Sequence, residues 1–181
     1  MKKVITLSLI LISLISNAQF LTLDELLSST NNKLSTTTEI LMNKKWKLTK
    51  TDKQMSDDNT LMLEETVVWN YTNNAGSILT QLEYRKELNL KTDEPLNFGK
   101  YFIDVHCSFA SLDYYNKLNQ SIKLKKWKLK GDDNIGSSEN QSGTIYKSYE
   151  SDEYFVALAI SIVNGQQIYF IRIHKREGVE K

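Results

Sequence analysis

One cysteine, one proline, two histidines and seven glycines among 181 residues leave several chemistries without parts. The lone Cys107 excludes an internal disulfide. His106 and His174, with no HExxH, CxxC or DxDxDG spacing around them, point away from a dedicated metal site. The two closest glycines are Gly131 and Gly136, so GxG, GxGxxG, Walker and GxSxG loops are all excluded and no cofactor is expected. Neither sign of charge dominates. With 23 basic and 22 acidic side chains the formal charge is +1, which gives no global field for nucleic acid or an anionic membrane.

What is present begins with an export leader. Met1-Lys2-Lys3 is basic, and the 12 residues Val4 to Ile15 are apolar apart from Thr6, Ser8 and Ser13. Ser16-Asn17-Ala18 then places small residues for cleavage before Gln19. An apolar run of that length is well short of the roughly 20 residues that span a bilayer. The sequence therefore predicts a signal peptide over residues 1–18, an exported chain, periplasmic or secreted, and no stable membrane insertion once the leader is gone. With 40% hydrophobic residues, 18 of all residues aromatic, the remainder can fill a core from packing alone.

The main internal feature is a repeat. Lys44-Lys45-Trp46-Lys47-Leu48 recurs as Lys125-Lys126-Trp127-Lys128-Leu129, displaced by 81 residues. Helical signals precede each copy. Thr22-Leu23-Asp24-Glu25 and Thr36-Thr37-Thr38-Glu39 are capping boxes, and Ser111 caps a helix with Leu112, Tyr115, Leu118 and Ile122 at helical spacing. Strand-like runs follow each copy: 45–51, 65–72, 77–86 and 100–109, then 126–131, 143–150, 154–163 and 166–175. Segments 52–64, 87–99 and 132–142 are polar and acidic and predict surface loops. The expected domain plan is one cooperative unit built from module 19–110 and module 111–181.

Asn164-Gly165 predicts a two-residue type I′ turn, which fixes the last hairpin's register. Counting outward pairs Ile162 with Gln167, Ile160 with Tyr169, Leu158 with Ile171 and Val156 with Ile173 as a core face. The other face pairs Ser161 with Ile168, Ala159 with Phe170, Ala157 with Arg172 and Phe155 with His174. The fold class expected is α+β, an antiparallel sheet of about eight strands from two helix-plus-four-strand repeats with helices on one face. In this order of elements the chain resembles the secreted β-lactamase inhibitor protein family, which duplicates a helix and four-strand module. The resemblance implies the same layered architecture and transfers no functional residue.

Candidate sites are few. His106-Cys107 are neighbours on a strand and point to opposite faces, which makes Cys107 a buried hydrophobe and no nucleophile for His106. Asp104, His106 and Ser108 share a face, so a hydrolytic triad is one reading, although alternating polar residues ordinarily mark the wet side of a strand. The acidic groups Glu64-Glu65, Asp93-Glu94 and Glu150/Asp152/Glu153 read as solvated, and Asp132-Asp133-Asn134 lacks a completing Glu for calcium. Lys117 to Lys130 holds six lysines, Trp127 and no acid, and reads as a buried tryptophan beside a solubilising lysine stripe open to an acidic partner protein.

These features predict an exported, non-enzymatic module that binds another protein, in its most concrete form an inhibitor or immunity-type protein. The residues expected to contact that partner are Phe155, Phe170, Arg172, His174, Lys126 and Lys128, because aromatic and arginine side chains anchor protein interfaces. Catalytic and metal residues are not expected. A carrier for a small apolar ligand held between helices and sheet is the alternative, and a hydrolase using Asp104, His106 and Ser108 the second.

Overall fold

The computed structural model describes residues 20–57, 62–89, 100–135 and 142–175. The leader assigned to residues 1–18 and the carboxylates Asp93 and Glu94 lie outside the described residues. Three helices, α1 (Leu23–Asn31), α2 (Leu34–Asn43) and α3 (Leu112–Leu124), pack on an eight-stranded sheet. Its strands are β1 (Lys47–Met55), β2 (Met62–Thr72), β3 (Ile78–Asn89), β4 (Lys100–Phe109), β5 (Lys128–Ile135), β6 (Ser142–Glu150), β7 (Tyr154–Val163) and β8 (Gln166–Lys175). All neighbours run antiparallel, in the order β1-β2-β3-β4-β8-β7-β6-β5. This is the expected α+β architecture.

The helices form where cap and stripe agree. Thr22 Oγ1 accepts from the Glu25 N–H at 3.2 Å and the Glu25 carboxylate accepts from the Thr22 N–H at 2.7 Å, closing the predicted capping box. Leu23, Leu26, Leu27 and Thr30 then fall on one buried stripe of α1. Ser111 caps α3 as expected, but Leu112 is exposed and Tyr114 takes the core place, its ring 4.5 Å from Phe20 and from Phe109. The second box does not open α2. That helix starts at Leu34 behind Lys33, which makes no side-chain cap, and Thr36-Thr37-Thr38-Glu39 lies inside it. The earlier start aligns Leu34, Thr37 and Leu41 at i, i+3 and i+7 against the sheet, so burial outweighs the cap.

The inner face of the sheet is apolar from strand to strand. Trp69, Leu82, Cys107, Ile171 and Leu158 are at most 1% exposed and join Leu26, Leu41, Leu118 and Ile122 of the helices in a single cluster. Each such aliphatic side chain contributes about 1.5–3 kcal/mol. Strands run further than their sequence signals. Segment 52–64 is no loop at its ends, because Asp52, Lys53 and Gln54 pair with Thr66, Glu65 and Glu64, and Lys53 meets Glu65 at 2.8 Å. Likewise β3 continues to Asn89 and β5 to Ile135, so Asp132-Asp133-Asn134 belongs to a strand ladder. Polar residues suffice there because backbone pairing continues what the apolar segments begin.

The register reveals an internal two-fold relation. Leu48 pairs with Trp69 and Leu129 with Tyr149; Trp69 then pairs with Leu82 and Tyr149 with Val156; Leu82 with Cys107 and Val156 with Ile173. Cys107 and Ile173 are thus equivalent, and so are their neighbours His106 and Arg172. His106 and Arg172 also pair with each other across the β4–β8 seam. The pseudo-dyad therefore runs through this pair, normal to the sheet, and both repeats place their helices on the same side.

Candidate functional site

No described helix covers the face opposite the helices. Its central rows follow from the registers, since residues paired across strands share a face. One row runs Lys128, Glu150, Phe155, His174, Asp104 and Arg85; the next runs Ser148, Ala157, Arg172, His106 and Glu83; a third runs Tyr146, Ala159, Phe170 and Ser108. Five of the six residues expected to contact a partner, Phe155, Phe170, Arg172, His174 and Lys128, therefore stand on one surface. Lys126 does not. It occupies the turn between α3 and β5 with φ 55°, one residue before Trp127, at the helix end.

Around the dyad the side chains interlock. Arg172 donates from Nε to Asp104 Oδ2 at 2.8 Å and again from Nη2. The His106 ring stacks on Phe170 at 5.3 Å with planes 13° apart, and Phe102 tilts against His174 at 5.4 Å. Arg85 donates to Glu64 at 3.0 Å and lies 3.3 Å from Glu87. Glu83, Arg85, Asp104, His106 and Arg172 line a surface depression of about 260 Å³. Burial holds the His106 imidazole below its ordinary value of 6.5, with Arg172 acting in the same sense and Glu83 and Asp104 opposing.

The two halves of this face differ in composition. Glu83 and Ala157 are equivalent, each opposite a member of the His106–Arg172 pair. By the same counting Arg85 corresponds to Ala159 and Asp104 to Phe170. The first half is charged. The second has low ground at Ala157, Ala159 and Ser148, with Phe155, Phe170, Tyr146 and Arg172 standing around it.

Asp104, His106 and Ser108 share the face but form no relay. Among the described residues no hydrogen bond joins them, since Arg172 holds the Asp104 carboxylate and Phe170 the flat of the imidazole. Cys107 is fully buried behind them, and burial pushes its thiol far up. For a carrier, Phe20, Leu23, Tyr114 and Leu118 line a groove of about 250 Å³ between the N-terminal segment and α3, whereas between helices and sheet Leu21, Glu25, Ser29, Thr37, Leu41 and Leu82 line only about 10 Å³. That is room for about one water, against roughly 300–1,000 Å³ in ligand pockets. Among the described residues no group of three or more His, Cys, Asp or Glu could hold a metal ion, and no helix is long and apolar enough to cross a membrane.

The sequence missed the contacts between the halves. The Asn164-Gly165 turn gave the register of Arg172 and His174 against β7, but no local signal says that β8 lies beside β4. Asp104–Arg172 and His106–Phe170 follow only from that long-range pairing. Comparison with protein-family models, with curated proteins and with solved structures finds no match.

Proposed function

We propose that the chain is an exported, non-enzymatic binding module that engages another protein through the open face of its sheet. The observation that carries this is the group Phe155, Phe170, Arg172 and His174 around Ala157 and Ala159, half-buried apart from the exposed Arg172, on the side no described helix covers. Rigid aromatic rings and an arginine are the side chains that anchor interfaces, and small residues between them admit a partner's side chain. A sheet is also a stiff platform, so little ordering entropy is lost on docking. An inhibitor- or immunity-type role is its most concrete form. The partner takes its place in the periplasm or outside the cell.

The experiment is photo-crosslinking from two sites. A benzoylphenylalanine at position 157, on the open face, is compared in native extract with one at Ser28, exposed on α1. A discrete adduct from position 157 alone is the expected result. The same adducts from both positions, or none from position 157, overturn the reading.

A further inference from the structure

Lys128 of the repeated motif belongs to the open face, but the turn that opens each copy is left over once that face has its role. In each copy the second lysine, Lys45 or Lys126, takes a left-handed backbone, with φ 66° and 55°. Glycine or asparagine fills such a helix-ending position at less steric cost, so lysine there is dear in backbone energy. Both copies hold it nevertheless. The first lysines, Lys44 and Lys125, converge on neighbouring acids of the first turn of α1, meeting Glu25 at 2.6 Å and Asp24 at 2.8 Å. Lys45, Lys123 and Lys126 have no acidic partner among the described residues.

Long aliphatic side chains stand beside these lysines. Leu48 and Leu129, equivalent in the repeat, are 50% and 52% exposed, and Met42 and Leu124 are 61% and 76% exposed. They are not the walls of a pocket, and among the described residues no exposed aromatic ring joins them. The copies open the two edge strands β1 and β5, and the pseudo-dyad normal to the sheet turns both helix-to-strand turns to the same side. Basic charge with protruding aliphatic tips and a planar approach are the requirements of an anionic lipid surface. A protein would need two matching sites at the same spacing.

We infer that the helix side docks peripherally on negatively charged lipid headgroups through Lys45, Lys123 and Lys126, with Leu48, Leu129, Met42 and Leu124 entering the interface. The whole-chain balance of 23 basic and 22 acidic residues hides this local segregation. The inference is independent of the open face and leaves that face turned away from the bilayer, free for a partner.

The test is flotation of the leaderless protein with phosphatidylglycerol–phosphatidylcholine vesicles and with phosphatidylcholine vesicles, at low and high salt. Binding to the anionic vesicles alone, weakened by salt, is expected. Lys45→Gln and Lys126→Gln should each lower the partition coefficient roughly fivefold, and Leu48→Ser with Leu129→Ser by a comparable factor. All these residues are exposed, and circular dichroism checks that the variants stay folded. Absence of anionic-vesicle binding, or equal binding by wild type and the lysine variants, overturns the proposal. So does loss with the lysine variants but none with the leucine pair, which would mark a surface for a soluble polyanion.

Discussion

Lys45 and Lys126 share a left-handed backbone at the same step of two helix-to-strand turns, 81 residues apart. After Lys45 the Trp46 N–H donates to Leu41 O at 3.0 Å and the Lys45 N–H to Met42 O at 2.9 Å, a Schellman ending; the Lys126 N–H repeats the second bond to Lys123 O at 3.0 Å. Both first strands then carry a bulge at the same place, between Leu48 and Lys50 and between Leu129 and Gly131. The repeated five residues are a helix stop, a tryptophan packed on the core and a strand start in one motif.

Relieving the left-handed lysines should stabilise the fold. Lys45→Asn and Lys126→Asn are each expected to raise unfolding free energy by ~1 kcal/mol, since asparagine tolerates this backbone better. Urea unfolding of the two variants measures it, and a loss in either would show that lysine makes a stabilising contact there.

The tryptophans of the repeat should differ, although the sequence treats them alike. Trp46 is 2% exposed, whereas Trp127 is only partly buried, stacked on Tyr154 with Lys125 over its ring. Trp46→Ala should cost about 3–5 kcal/mol, and Trp127→Ala about half as much. Equal losses in denaturant unfolding would contradict the asymmetry.

That asymmetry shows what the sequence could and could not tell. Periodicity and the Asn164-Gly165 turn disclosed the strands, the inner row and the pairing of Ala157 with Arg172, because each depends on neighbours along the chain. Strand ends such as Asp52–Gln54 were hidden, since a polar segment can continue a ladder that apolar residues start. The site was half visible: Phe155, Phe170, Arg172 and His174 were on one face by counting, while Asp104 joined them only when β8 closed on β4. Lys126 was misplaced because a left-handed turn, unlike a strand, breaks the alternation.

Acid should weaken the fold through two groups. His106 has a folded value below its unfolded one of 6.5, so the unfolded chain binds the proton more readily and stability falls as pH drops through that value. Glu25 is held below its ordinary 4.5; burial raises it, but the Lys44 ion pair and the Thr22 cap outweigh that, so its contribution is lost as pH falls below 4.5. In melting temperatures across pH, His106→Gln should flatten the upper step and Glu25→Gln the lower. Unchanged profiles would show that neither group is linked to folding.

The export reading predicts where the mature chain begins. Cleavage before Gln19 spares Phe20, which stacks on Tyr114, and Leu21 and Leu23, each 3% exposed. N-terminal sequencing of protein recovered outside the cytoplasm should start at Gln19. Deleting residues 20–23 should cost about 1.5–3 kcal/mol per leucine; a fully stable deletion would show that this segment is dispensable to the core.

The most direct measurement of the open-face account is quantitative capture from native extract with three baits: wild type, Ala157→Glu on the open face and Lys45→Asn at the helix end. Ala157→Glu puts a charge on the low ground beside Phe155 and Phe170 without removing a packed side chain. At matched melting temperatures, the account predicts a protein retained by wild type and by Lys45→Asn and lost with Ala157→Glu. Equal retention of every captured protein by all three baits would contradict it.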